Sequence, residues 1–147
     1  MDKNVRIIIV DDDENIRKTM KAILEDEGYV VDSAATGNEA IEMTQQTAYN
    51  IALLDIRLPD MEGVELLKLI KDNVPKTRKI MVTGYPSMQN AISALNMNAD
   101  AYLIKPIDVE KLLNLVKEQL QLQEDEKSFS EQKVAEFIET RVKEISI

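Results

Sequence analysis

The most constraining stretch of this chain is residues 50–63, NIALLDIRLPDMEG. Ile51, Ala52, Leu53 and Leu54 form an unbroken apolar run that stops at one acid, Asp55. A strand with one wet face alternates apolar and polar residues. A run that is apolar at every position suits a strand covered on both faces, as in a parallel sheet between two layers of helices. Asp55 would then sit at the carboxyl end of a central strand, the edge where open α/β sheets bind ligands. Pro59, Asp60 and Gly63 read as turn formers in the loop that follows.

The rest of the chain supplies neighbours for that strand. Residues 5–10 (VRIIIV) are rich in β-branched side chains and read as a first strand, ending at Asp11, Asp12 and Asp13. Asp12 or Asp13 can cap the next helix, whose Ile16, Met20, Ile23 and Leu24 share a face and whose stop is Gly28. Residues 29–34 are a less apolar strand, suited to an edge. Thr36 and Glu39 have capping-box spacing and open a second helix with Ala40, Ile41 and Thr44 inward. A third helix over 62–73 turns Val64, Leu67 and Ile70 inward. Residues 79–83 (KIMVT) form a fourth strand, and Ser87 caps a fourth helix carrying Ala91, Ile92, Leu95 and Ala99. Residues 101–104 form a fifth strand, ended by Lys105 and Pro106. Asp108 caps a fifth helix with Val109, Leu112, Leu113, Val116 and Leu120 inward. Strands alternating with helices imply a parallel sheet with helices on both faces.

Residues 124–128 (EDEKS) read as a polar break, after which Ser128 and Glu131 repeat the capping-box spacing. Val134, Phe137, Ile138, Arg141, Val142 and Ile145 follow at helical spacing, an amphipathic helix that needs a surface to cover its stripe. The expected division is therefore 4–123 as one α/β domain and 124–147 as a C-terminal helix, tail or linker.

Composition removes several chemistries. With no cysteine there is neither a disulfide nor a thiolate metal site, and with no histidine there is no imidazole base, ligand or phosphocarrier. A net charge of −9 argues against nucleic-acid binding by this chain and favours cations or basic protein surfaces. The chain turns acidic soon after its first apolar residues, so no secretory leader is expected. No apolar run approaches the ~18 residues of a membrane span. A cytoplasmic location and no membrane partner are expected.

The strand ends carry the chemistry. The first offers Asp11 and Asp12, the third Asp55, the fourth Thr83 and the fifth Lys105. Carboxylates gathered at one edge repel, and must either take up protons or bind a cation. An all-oxygen site suits Mg²⁺. With the metal and Lys105 neutralising charge, a carboxylate there can accept phosphorus in line as an acyl phosphate.

Together, IIIVDDDENIRK, LLDIRLPDMEG, VTGYP and AYLIKP resemble the receiver domain of two-component response regulators, over roughly residues 5–121. The resemblance implies a flavodoxin-like, doubly wound sheet of strand order 2-1-3-4-5 with its crevice between strands one and three. It implies Asp55 as phosphoacceptor, Asp12 as a direct Mg²⁺ ligand, Asp11 acting through metal-bound water, and the Arg57 backbone carbonyl as a further ligand. Thr83 would bond the phosphoryl oxygens and Lys105 would pair with them, while Tyr102 matches the aromatic that rotates inward with the threonine. Lys105–Pro106 matches a cis peptide, and Gly84 leaves room for an attacking group. Arg57 and Tyr85 fall at positions where family members differ in phosphate lifetime, and their bulk is expected to slow hydrolysis. An unchanged acyl-phosphate half-life in Arg57→Ala would reject that expectation.

The resemblance further implies a partner histidine kinase or phosphotransfer protein, since this chain has no histidine of its own. It implies a downstream protein target reading the surface of the fourth helix, fifth strand and fifth helix, and allows a homodimer through that face or the C-terminal helix. No external substrate, and so no enzyme in the ordinary sense, is expected. Three other readings compete with this one. One is an Mg²⁺-dependent phosphatase using Asp11 and Asp13. A second is a flavodoxin-like cofactor carrier, disfavoured by the acidic loop after the first strand. The third is a phosphate-independent scaffold.

Overall fold

β3 (Ile51–Asp55) pairs in parallel on both sides, with β1 (Arg6–Val10) and with β4 (Arg78–Thr83). β2 (Val30–Ala34) adds to β1 and β5 (Ala101–Ile104) to β4, giving one sheet of order β2-β1-β3-β4-β5. The computed structural model describes residues 5–70, 75–84 and 99–145. The sheet is the expected doubly wound, flavodoxin-like one.

Every residue of β3 is buried, because each face of the sheet has its own core. Ile8, Val10, Ala52, Leu54 and Met81 point to the side covered by α2 (Gly37–Gln46) and α3 (Gly63–Leu69), where Ala40, Leu66 and Leu67 meet them. Ile7, Ile9, Ile51, Leu53, Ile80 and Val82 point to the other side. There Met20 and Leu24 of α1 (Glu14–Asp26) and Leu112 and Val116 of α4 (Val109–Ile145) cover them. Strand side chains alternate between faces, so two cores demand apolar residues at every step.

The local signals behave as read, with three adjustments. Asp13 is the cap of α1, accepting from the amides of Asn15 and Ile16 at 2.9 and 3.2 Å, and Gly28 follows with φ 95°. Thr36 accepts from the Glu39 amide at 3.1 Å. In α3 it is Leu66, with Leu67, that is fully inward, while Val64 is only half-buried. Val109, expected inward, is 49% exposed, since it lies on the opening turn of α4 before the helix reaches the sheet. The helix expected from Ser87 and the end of that expected over 62–73 lie outside the described residues, although Ala99 is buried.

The third adjustment is the largest. Residues 124–128 do not interrupt the chain: α4 runs through them without a break. They contain neither Gly nor Pro, and two of their acids find partners, one on the helix itself and one on β4. Asp125 accepts from Gln121 one turn earlier at 3.0 Å, and Glu126 accepts from Arg78 at 2.7 Å. Arg78 also donates through Nε to the buried Gln119 at 2.9 Å. Gln123 donates to the carbonyls of Asn50 and Lys76 at 3.1 and 2.8 Å. This polar seam fastens α4 across the amino ends of the strands, and every described side chain from 124 onward is exposed. No helix among the described residues is long and apolar enough to cross a membrane.

Candidate functional site

Parallel register alone brings the strand ends together. Val10 pairs with Leu54, so Asp11 and Asp55 are the next residues on adjacent strands. Thr83 pairs with Ile104, and the Lys105 amide donates to the Thr83 carbonyl at 2.7 Å. The carboxyl edge of β1, β3, β4 and β5 therefore collects Asp11, Asp12, Asp55, Thr83 and Lys105.

Carboxylate oxygens of Asp11, Asp12 and Asp55 all lie within 4.8 Å of one another. Asp11 and Asp55 are buried and Asp12 is exposed at the mouth. The Lys105 ammonium reaches in from the loop after β5, 2.8 Å from Asp11 and 3.4 Å from Asp55. Its peptide to Pro106 is cis, as the resemblance implied. Asp11 also accepts from the Asp13 amide at 2.9 Å, and its carbonyl from Arg17 at 2.7 Å. Asp55 accepts a longer bond, 3.4 Å, from the Arg57 amide. The Arg57 side chain is exposed.

The electrostatics follow from this crowding. Burial pushes the Asp55 carboxyl above the usual carboxylate range, and the charge of Asp11 pushes it further. Lys105 and the Arg57 amide offset only part of that rise. Burial opposes the charge on Lys105, but the hydrogen bond and charge of Asp11, with the charge of Asp55, outweigh it and hold the ammonium above its ordinary value. Three acids against one ammonium leave a net negative pocket of oxygen donors, the setting that suits a small hard cation. Among the described residues, Asp11, Asp12 and Asp55 are the side chains grouped to hold it.

Thr83 is completely buried at the end of β4. Tyr102 pairs with Met81, two residues before Thr83, so it occupies the same side of the sheet and packs half-buried against the α2/α3 core. Gly84 opens outward, and a Cβ there would approach Lys105 no closer than 3.8 Å. Tyr85 is outside the described residues.

Two residues read as plain turn formers do more than turn the chain. Asp60 reaches from the β3–α3 loop to accept from the Gly37 and Asn38 amides at 2.9 and 2.8 Å, a second cap on α2. Those two bonds hold its carboxyl below the usual range. Gly63 sits where a Cβ would strike the Asp55 carbonyl oxygen, so α3 can approach the acid-bearing strand only without a side chain there. No local pattern announces either contact, because each joins segments distant in sequence or depends on how tightly α3 packs.

The comparisons with known proteins agree with this geometry. The family model described as response regulator receiver domain matches residues 7–117. The chain is 34% identical over 118 residues to the regulatory protein AtoC of Escherichia coli K12, covering 80% of this chain and 26% of that protein. It is 38% identical over 110 residues to the transcriptional regulatory protein ZraR of Klebsiella oxytoca, covering 75% of this chain and 25% of that protein. The chain thus spans about a quarter of the length of these relatives. Among solved structures, a CheY-like receiver domain protein from Methanospirillum hungatei JF-1 superposes with a TM-score of 0.80 at 49% identity, over 84% of this chain and 98% of that one. A two-component response regulator from Clostridium difficile gives 0.76 at 34% identity, over 80% and 97%. With a matching family model over most of its length and the strand-end constellation in place, this chain belongs to the response regulator receiver domain family.

Proposed function

We propose that this chain is a phosphorylation-driven switch whose phosphoacceptor is Asp55. The observation that carries the reading is the meeting of three carboxylates within 4.8 Å, with Lys105 against two of them. A carboxylate oxygen of Asp55 attacks the phosphorus of a partner's phosphohistidine. The phosphorus–nitrogen bond breaks, a phosphorus–oxygen bond forms, and the imidazole leaves. Asp12, Asp55 and the Arg57 carbonyl would hold Mg²⁺, with Asp11 acting through metal-bound water, and the ion would neutralise charge on the acids and on the incoming phosphoryl oxygens. Lys105 then moves its pairing from Asp55 to the phosphoryl group, and the Thr83 hydroxyl donates to another phosphoryl oxygen. Tyr102, on the same side of the sheet, follows Thr83. The surface around β5 and the start of α4 changes and selects a different protein partner, through differential affinity for two states of one fold.

Partners of this reading are a sensor histidine kinase or phosphotransfer protein and a downstream protein target. Contact with nucleic acid would belong to other chains or segments, and the site of action is the cytoplasm. Chemistry ends with hydrolysis of the acyl phosphate, so no external substrate turns over. The rival phosphatase reading needs Asp13 as a second acid beside Asp11. Asp13 is instead occupied in capping α1, which disfavours it.

Intact-protein mass spectrometry after incubation with a small phosphodonor tests the assignment. Wild type should gain one phosphoryl group when Mg²⁺ is present and none when it is chelated. Asp55→Ala should gain none in either case. Equal labelling of Asp55→Ala would overturn the assignment.

A further inference from the structure

Past Glu126, its last anchor to the sheet among the described residues, α4 continues for about five turns. The face that meets the sheet steps through Leu112, Val116, Gln119 and Gln123, all buried. The same three- and four-residue steps continue through Lys127, Glu131, Val134, Ile138 and Arg141, all exposed. Beside them Phe137 and Val142 add to the stripe, and Val134, Phe137, Ile138 and Val142 are each more than half exposed. A short helical extension with one apolar side and no tertiary cover among the described residues is marginal in water. Something must cover it.

The charges within the stripe say what. We propose that the C-terminal part of α4 pairs antiparallel with the same segment of a second copy of this chain. In heptad terms Glu131 and Ile138 take one inward position, and Val134 and Arg141 the other. An antiparallel pair sets unlike positions opposite each other. Centred near residue 136, it places Glu131 against the partner's Arg141 and Val134 against the partner's Ile138. Two-fold symmetry repeats both contacts. A parallel, in-register pair sets like positions opposite each other. It would stack Lys127 on Lys127, Glu131 on Glu131 and Arg141 on Arg141 along the seam, repulsion at each charged layer. The Arg141 guanidinium already lies 5.0 Å from the Phe137 ring centroid of its own helix, along the flank of the stripe. The pairing rests on α4 alone and is independent of the phosphoacceptor assignment.

Sedimentation velocity of the full chain across a micromolar concentration series should show a reversible monomer–dimer equilibrium. Glu131→Arg and Arg141→Glu should each weaken it about tenfold or more, and the double variant should restore it. The absence of cysteine gives a clean orientation assay. Val134→Cys mixed with Ile138→Cys under mild oxidation should yield chiefly the mixed disulfide between positions 134 and 138. A monomer at all concentrations, a dimer indifferent to the charge changes, or disulfides chiefly joining 134 to 134 and 138 to 138 would each overturn the proposal. The altered side chains are exposed and lie beyond the packed domain, so the thermal midpoint of that domain should be unchanged in every variant.

Discussion

Asp55 is held in a setting that disfavours its own charge, and that has a consequence for stability. Its folded carboxyl binds a proton more tightly than an unfolded one, because burial and Asp11 oppose ionisation more than Lys105 and the Arg57 amide support it. The associated stability is fully present below the ordinary carboxylate value and is lost as pH rises through the raised folded value. At neutral pH and without Mg²⁺, the wild type therefore carries the cost of a buried, crowded charge. Asp55→Asn removes that charge and leaves Lys105 its shorter contact with Asp11 at 2.8 Å. The variant should be more stable than wild type at pH 7 by roughly 1 kcal/mol, the usual size of a single polar substitution. The advantage should shrink as pH falls through the raised folded value and be gone below about pH 4, the ordinary carboxylate value. Urea unfolding of both proteins across that range, in chelator, measures it. A variant less stable than wild type at pH 7 would show that the Lys105–Asp55 attraction dominates.

At the level of elements, the joints of the site are made by the β3–α3 loop. Gly63 lets α3 lie directly on the end of β3, and its amide donates to the Ile56 carbonyl at 2.6 Å. In Gly63→Ala the new Cβ would meet the Asp55 carbonyl oxygen, with the Ile56 Cα and the Met81 Cε each 2.9 Å away. Two of those three are backbone and cannot swing aside. The expected loss is roughly 1–3 kcal/mol, the range of overpacked interiors, read as a lower urea midpoint. Asp60 ties the same loop to α2 through two amides. Its carboxyl is held below the ordinary value, so its support is present above the unfolded pKa and lost as pH falls through the folded one. Asp60→Ala should lower the melting temperature at pH 7, and the gap from wild type should narrow as pH falls below the ordinary carboxylate value of about 4. A gap that persisted in acid would mean the loss came from packing rather than from the capping charge.

For the whole molecule, the boundary between packed domain and projecting helix falls after Glu126. Gln119 and Gln123 are buried and Arg78 grips Glu126, whereas every described side chain beyond is exposed. Ending the chain after Lys127 should leave the unfolding midpoint of a dilute monomer unchanged. Ending it before Gln119 should lower the midpoint sharply, because the partners of Gln119 and Gln123 would be left buried and unpaired. Thermal melts of the two shortened chains separate these outcomes. The sequence alone was enough for the sheet, its order and the gathering of Asp11, Asp12, Asp55, Thr83 and Lys105 at one edge. The strands and the polar residues that end them are written in short-range patterns, runs apolar at every step and caps one turn long, whereas the strand order was implied by the resemblance of the four motifs to the receiver family. The tertiary structure decided the rest: that Asp11 rather than Asp55 takes the shorter Lys105 contact, that Asp60 caps a helix 23 residues away, and that α4 runs through 124–128 without a break. Each of these depends on which of several feasible partners lies within reach once the layers have packed. That distance is a property of the assembled sheet, and neighbouring residues in a sequence do not encode it.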